Sequence, residues 1–329
     1  MMPFDYRRAP DAEGAVAAAS GWAGVAFLAG GTNLVDHMKL GLAAPDVLVD
    51  ISRLPLDTVD ELPDGGLRIG ATVRNADLAA HPVVRRDYPV LARALLSGAS
   101  GQIRNLATTG GNLLQRTRCA YFQDLTTPCD KREPGTGCSA IGGHTRHHAI
   151  LGASAHCVAT HPSDMAVAMA ALDAQVGVLG MAGRRVVPLV ELHRLPGDEP
   201  HRDTVLAPSD LITSVDLPPL PPGTRSSYRK VRDRASFAFA LVSVAAVLRV
   251  EDGVVRDARI ALGGVAHKPW RARRAEDVLV GSPADEEVFR RAADAELAGA
   301  APLPGNGFKV PLTRNLVVSA LRELSRGRR

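Results

Sequence analysis

The sequence predicts an α+β protein of more than one domain, and three observations carry that prediction. Short β-branched runs alternate with alanine- and leucine-rich helical stretches through the first two thirds of the chain. A sheet-rich stretch follows and then gives way to helices, and a proline cluster, Pro218-Pro219-Leu220-Pro221-Pro222-Gly223, separates the two parts. Prolines stiffen an extended connection and have no N–H to give a central ladder, so the cluster reads as a domain boundary. A chain of 329 residues, 46% of them hydrophobic, can bury the cores of two or three domains.

The first recognisable unit spans 25–39: a strand over 25–29, the turn Gly30-Gly31-Thr32-Asn33, and a helix from Leu34. Adjacent glycines remove the side chains that keep a ligand off the backbone, and successive N–H groups at a helix start can point at a phosphate. The turn is neither G-x-G-x-x-G nor a P-loop, and a lone glycine pair more often joins a strand to a helix than binds anything. A second turn, Thr108-Thr109-Gly110-Gly111-Asn112, changes that weighting, because two glycine-pair loops can clasp one diphosphate. Between them, 67–71 reads as a strand and 77–96 as helices, the last over 88–96.

Further along, Pro162-Ser163-Asp164-Met165 opens an alanine-rich helix through Leu172, which Ser163 or Asp164 can cap; Asp164 can alternatively meet a ligand. Residues 175–179 and 184–189 read as a hairpin around Met181-Ala182-Gly183, and 210–217 as another strand. Beyond the prolines, 227–234, 237–250 and 256–262 are sheet-like and end at Gly263-Gly264. Helices follow over 285–297 and 312–324, the second after an irregular glycine- and proline-rich passage, 302–311.

All four cysteines, Cys119, Cys129, Cys138 and Cys157, fall in one window rich in turn formers, spaced C-x9-C, C-x8-C and C-x18-C. Clustered thiols suit an iron–sulfur cluster, whose irons each take a soft anionic sulfur. The spacing matches neither a C-x-x-C zinc knuckle nor a ferredoxin run, so cluster, zinc, and buried or disulfide-paired cysteines all remain open on arithmetic alone. A long loop pinned by four thiolates is most simply an ordered metal-binding insert. Its histidines, His144, His147, His148, His156 and His161, read as solvated loop residues, since four thiolates complete a coordination set.

Net charge is +4, with both signs scattered and aromatics at 4%; the arginines Arg322, Arg326, Arg328 and Arg329 read as a solvated end rather than a nucleic-acid grip. The N-terminus lacks the apolar core of a secretory signal, and no uncharged apolar run of about 18 residues could span a bilayer. The expectation is a protein with no nucleic-acid partner and no membrane span. A zinc-stabilised basic binding protein is the reading of another class.

Taken together these residues resemble the FAD-binding subunit of the molybdenum hydroxylases, the xanthine dehydrogenase and carbon monoxide dehydrogenase group, over essentially the whole chain. Leu28-Ala29-Gly30-Gly31-Thr32-Asn33-Leu34 resembles the family's first FAD loop, and Thr108-Thr109-Gly110-Gly111-Asn112 its second. Ser163-Asp164 is similar to the Ser-Asp that contacts the flavin. Ile212 falls in the strand that follows, and Tyr228-Arg229-Lys230 resembles the Tyr-x-Lys opening the C-terminal domain. Most members join the second loop to Ser-Asp almost directly. The cysteine segment inserted here is similar to two branches whose flavin subunits carry an additional [4Fe–4S] cluster, the periplasmic-type aldehyde oxidoreductases and the 4-hydroxybenzoyl-CoA reductases, and is closer to the first.

The resemblance implies a vanillyl-alcohol-oxidase-like (PCMH-type) FAD-binding fold of two subdomains plus a C-terminal α+β domain of the CO dehydrogenase flavoprotein type. It places subdomain 1 at 1–60, subdomain 2 at 61–217 with the insert at about 115–160, and the C-terminal domain at 223–329. FAD and one [4Fe–4S] cluster are the implied cofactors, with Asp164, Ile212, Lys230 and the two glycine loops at the flavin and the four cysteines at the iron. The implied function is electron transfer, with no catalytic acid or base on this chain. A molybdenum-cofactor large subunit would oxidise an aldehyde, a [2Fe–2S] small subunit would relay electrons, and FAD would pass them to an external acceptor. A 4-hydroxybenzoyl-CoA reductase-like or xanthine dehydrogenase-like enzyme is the alternative on the same scaffold. The implied location is cytoplasmic, or periplasmic by export with a signal-bearing partner.

Overall fold

A computed structural model describes residues 1–326; Arg328 and Arg329 lie outside the described residues. The predicted α+β class is what the chain adopts. Three sheets organise it. The strands Asp5–Arg8, Val47–Asp50 and Val25–Leu28 form a small parallel sheet with Val47–Asp50 in the centre, buried at every position. That burial on both faces explains the unbroken apolar run Val47-Leu48-Val49. The helix Ala12–Ser20, capped by Asp11 accepting from the Gly14 N–H, covers this sheet with Ala15, Val16 and Ala19.

The second sheet is antiparallel, in the order Val59–Glu61, Leu67–Gly70, Leu211–Leu217, Gln175–Gly180, Gly183–Pro188. The predicted hairpin is its far edge, turning at Met181-Ala182. Against it pack the helices Asn75–Ala80, Pro82–Asp87, Pro89–Ser97 and Asp164–Ala171. The last is buried at all eight positions, which its alanines allow by bringing neighbouring backbones close. Ser163, not Asp164, caps it, accepting from the Ala166 N–H at 2.9 Å. Asp164 is thereby free to turn elsewhere.

The third sheet follows the prolines, in the order Trp270–Arg271, Val254–Gly263, Val242–Glu251, Arg225–Val231. One face is covered by the helices Arg273–Leu279, Glu286–Leu297 and Lys309–Arg326, while Tyr228, Ala245, Val247 and Ala261 reach the core around Asp164–Ala171. The expected strand over 237–250 starts only at Val242: Phe237 has φ +52 and Phe237 and Phe239 are exposed, so 237–241 is a loop carrying apolar side chains. The last helix begins at Lys309, not 312, because Pro311 in its first turn lacks only an N–H that would be unpaired there anyway. No helix among the described residues is long and apolar enough to cross a membrane.

Candidate functional site

The two glycine turns face each other, for a reason the residues make plain. A Cβ on Gly30 would lie 2.0 Å from the Leu106 carbonyl oxygen, so this glycine lets the first loop touch the segment leading into the second. Gly31 has φ +70, the left-handed region that other residues enter at a cost. The N–H groups of Gly30, Gly31, Thr32 and Asn33 donate to no acceptor among the described residues. Those of the second loop are spent: Thr109 N–H on Val73 O, Gly110 N–H on Ala71 O at 2.8 Å, and Gly111 N–H on Thr108 Oγ at 3.3 Å. The two glycine-pair loops expected to clasp one diphosphate thus differ in what they offer. The first loop presents free donors, and the second forms a wall of small residues.

Three cavities with wall residues in common begin at these loops. The first, about 260 Å³, is lined by Gly30, Gly31, Thr32, Asn33, Gly110, Gly111 and Ile212. It shares Thr32, Asn33 and Gly111 with a middle cavity of about 250 Å³, which also meets Asn112, Asp164 and Lys230. The middle cavity in turn shares Arg118, Asp164 and Phe239 with a third, about 310 Å³, lined by Cys119, Tyr121, His148 and His161. Leu28 and Thr109 line none of the three. Thr109 is fully buried and its hydroxyl donates to Val73 O, so it props the second loop from behind.

Polar side chains fix the walls of these cavities. Asn112 donates to Asn75 Oδ1 at 2.6 Å and accepts from the Ser163 hydroxyl, tying the second loop to the cap of Asp164–Ala171. Asp164 accepts from Lys230 Nζ at 2.7 Å and from the Tyr228 hydroxyl, both on the strand Arg225–Val231. Burial, with Asp164 beside it, holds the Tyr228 phenol well above its usual range, so it stays a donor. Asn33 accepts from the Arg116 N–H at 3.0 Å, which seats the start of the insert on the first loop.

The insert is ordered by turns rather than by periodic elements, with one short helix, Ala120–Gln123. It is sewn to its surroundings from within. Lys131, 2% exposed, donates to Pro200 O and pairs with Asp203, which also pairs with Arg116 at 2.7 Å. Ile150 and Leu151 donate to Val265 O, and fully buried Lys309 donates to His148 O at 2.8 Å and to Gly264 O. Desolvation pulls the Lys309 ammonium down to about 7, and it has no carboxylate partner among the described residues. A buried cation in that state is stabilised by any anion placed near it.

The four cysteines are free thiols, Cys129 and Cys157 buried and the others half-buried. Cys129 and Cys138 are antiparallel bridge partners. Burial raises the Cys119 thiol, with Cys129 and Cys138 adding to the effect; burial pushes Cys157 up to about 12, with Cys138 and Cys119 adding. The four are thus electrostatic neighbours in one place. No group of three or more His, Cys, Asp or Glu side chains among the described residues is closed into a metal-coordinating set as it stands. The donor chemistry nonetheless fits a soft cation or cluster, since thiols this desolvated ionise readily only when a metal takes the charge.

The reading of the insert histidines as solvated needs one correction. His144, His147 and His156 are exposed, but His148 is 5% exposed and its Nε2 lies 3.2 Å from Cys119 Sγ. His161 packs edge-on against His193, ring centroids 4.3 Å apart. Sequence reasoning also passed over Arg118 and Asn75; each meets its partners only through the fold, and no local pattern marks them.

Comparison with known proteins matches two family models, "FAD binding domain in molybdopterin dehydrogenase" over 2–220 and "CO dehydrogenase flavoprotein C-terminal domain" over 226–324. The chain is 52% identical over 324 residues to the aldehyde oxidoreductase FAD-binding subunit PaoB of Escherichia coli, covering 98% of each. It is 27% identical over 324 residues to the carbon monoxide dehydrogenase medium chain of Hydrogenophaga pseudoflava, covering 97% of this chain and 96% of that one. A solved structure of carbon monoxide dehydrogenase from the same organism superposes with TM-score 0.77 at 27% identity over 98% of both chains.

Proposed function

Because the chain belongs to the family of FAD-binding medium subunits of molybdenum hydroxylases, oxidoreductase subunits as a class, we propose that it carries electrons from aldehyde oxidation on a partner molybdenum subunit to an external acceptor. Its cofactors in this reading are FAD and one [4Fe–4S] cluster on Cys119, Cys129, Cys138 and Cys157. The observation that carries the reading is the series of three cavities, each sharing wall residues with the next, that leads from the free N–H groups of the first glycine loop to the cavity that Cys119 lines.

The chain's own residues divide the work. Gly30 to Asn33 present backbone donors to the FAD diphosphate, while Gly110, Gly111 and Ile212 wall the space beside it. Asn112, Asp164 and Lys230 meet the part of the cofactor that enters the middle cavity. Lys230 and Asp164 neutralise each other, so they orient without adding net charge. Bound FAD supplies the exchange between two-electron and one-electron chemistry, and the protein sets its orientation and exposure. The insert presents four thiolates, and the Lys131 ammonium, whose charge works against the burial that raises Cys157, favours the ionised form there.

Aldehyde chemistry belongs to other subunits here. The four cysteines are consumed by one cluster, which leaves none for a [2Fe–2S] relay, so a [2Fe–2S] small subunit and a molybdenum-cofactor large subunit complete the enzyme. The similarity to an aldehyde oxidoreductase subunit supports an aldehyde as the class of substrate. The test is iron, acid-labile sulfide and flavin per polypeptide in protein purified anaerobically. One FAD with roughly four irons and four sulfides is expected, and FAD with zinc or no metal overturns the cluster.

A further inference from the structure

Three cations line the middle cavity, and two of them are already engaged. Lys230 is paired with Asp164 at 2.7 Å, and Arg104 donates to the carbonyls of Gly98 and Ala99. Arg118, which lines both the middle and the insert-side cavities, is different. Its Nη1 is buried and has no hydrogen-bond partner among the described residues. Its guanidinium lies over the Phe239 ring, 5.3 Å from the centroid, a contact that holds the group in place but satisfies none of its N–H donors.

A guanidinium stays charged in a protein, and a buried N–H left without an acceptor is costly, the more so when charged. Such a group is retained where a ligand supplies the missing acceptor. The ligand must enter the space that Arg118 shares with Asp164 and Phe239, beyond the glycine loops. With the diphosphate at the first loop, as proposed above, one end of FAD extends to Arg118, and the electron route proposed toward Cys119 assigns that end as the redox-active ring. Reduction by two electrons with uptake of one proton leaves one net negative charge on that ring, and a fixed cation in a low-dielectric wall favours it.

We propose that Arg118 is the redox-positioning residue of the flavin site: its free Nη1–H donates to an acceptor on the FAD ring, and its charge raises the reduction potential of the bound cofactor. Cys119 follows it directly, so consecutive residues face the flavin cavity and the proposed cluster. Arg118 acts through charge and one directed donor, not through bulk. Lysine, which keeps a charged donor one bond shorter, and glutamine, which loses the charge and ends two bonds short of Nη1, therefore test charge and donor together against bulk.

The experiment uses the FAD-loaded protein with its copurifying subunits, wild type against Arg118→Gln and Arg118→Lys. FAD per chain and the two-electron midpoint of the flavin are read by anaerobic titration with a chemical reductant, which requires no turnover. Arg118→Gln should lower the reduced-to-oxidised ratio at fixed potential at least tenfold, about 30 mV for a two-electron couple, and Arg118→Lys should keep most of the wild-type value. A weaker hold on FAD in the glutamine variant alone also supports the charge. An unchanged midpoint in Arg118→Gln overturns the proposal. So does an equal loss of FAD, or of assembly, in both variants, which would make the side chain a structural prop. A wild-type complex without cluster iron, or one whose flavin no aldehyde reduces, would defeat the electron-transfer reading while leaving the Arg118 comparison intact.

Discussion

Lys230 and Asp164 meet at 2.7 Å across the proline boundary, with their side chains 4% and 7% exposed. The carboxylate stands at the start of a helix in the first part of the chain, the ammonium on the first strand of the second part, so one ion pair seats the two parts on each other at the wall of the middle cavity. Removing one partner leaves the other charge buried and alone. Asp164→Asn or Lys230→Met should each cost about 3–5 kcal/mol in urea denaturation, and the double variant should cost clearly less than the two together, because neither charge is then orphaned.

The glycines of the first loop should separate by cause. Gly30→Ala has no room, its Cβ falling on the Leu106 backbone, and should lower stability with or without FAD. Gly31→Ala is strained by φ +70 at a cost of roughly 1–2 kcal/mol, and its main effect should be weaker FAD binding as the free N–H groups are re-aimed. Gly31→Val and Gly111→Val should both lose flavin. In the second variant the added Cβ meets Thr108 Oγ at 2.9 Å, the acceptor that orders the turn. Flavin per folded chain, with a denaturation midpoint for each variant, reads both effects.

Replacing Cys119, Cys129, Cys138 or Cys157 by Ser should lower iron content, since a hydroxyl is a poorer ligand for this iron than a thiolate. The loss should loosen the insert, and limited proteolysis of about 115–160 should follow the iron content across the four variants. Full iron with an unchanged electron paramagnetic resonance signal of the reduced protein in any one of them would remove that cysteine from the ligand set.

Much of this was legible in the sequence. The strand, glycine turn and helix over 25–39 were readable because apolar run, turn and helix start follow without a gap, and the 175–189 hairpin because its strands flank a glycine turn. The strand Asp5–Arg8 was not, since its four residues are all exposed and polar or amphipathic, so alternation gives no signal. Phe237 and Phe239 looked like strand residues because hydrophobicity alone cannot tell an exposed apolar loop from a ladder. At the site, the glycine pairs and Ser163-Asp164 announced themselves. The burial of His148 against Cys119 and the isolation of Arg118 depend on partners tens of residues away, which no local pattern encodes.

Acid should destabilise the protein through its buried imidazoles. Burial holds His193 down to about 4 and His267 to about 3, and His161 well below its usual value. Unfolded, each takes a proton near 6.5. Between that value and the folded one the unfolded state binds more protons, so the full stability is present above about 6.5 and is lost as pH falls. Each histidine contributes a slope of up to about 1.4 kcal/mol per pH unit. Urea midpoints should fall between about pH 7 and pH 5, before carboxylates titrate; a flat profile there would contradict neutral burial.

In the proposed reading this chain moves electrons but takes none from aldehyde by itself. That reading is tested most directly by mixing an aldehyde, without oxygen, with the assembled complex and separately with the isolated FAD-loaded chain, while following the flavin absorbance. Bleaching of the flavin in the complex, and none in the isolated chain, is the expected result. Bleaching of the isolated chain in the absence of molybdenum would contradict the account and place a complete aldehyde-oxidising site on this polypeptide.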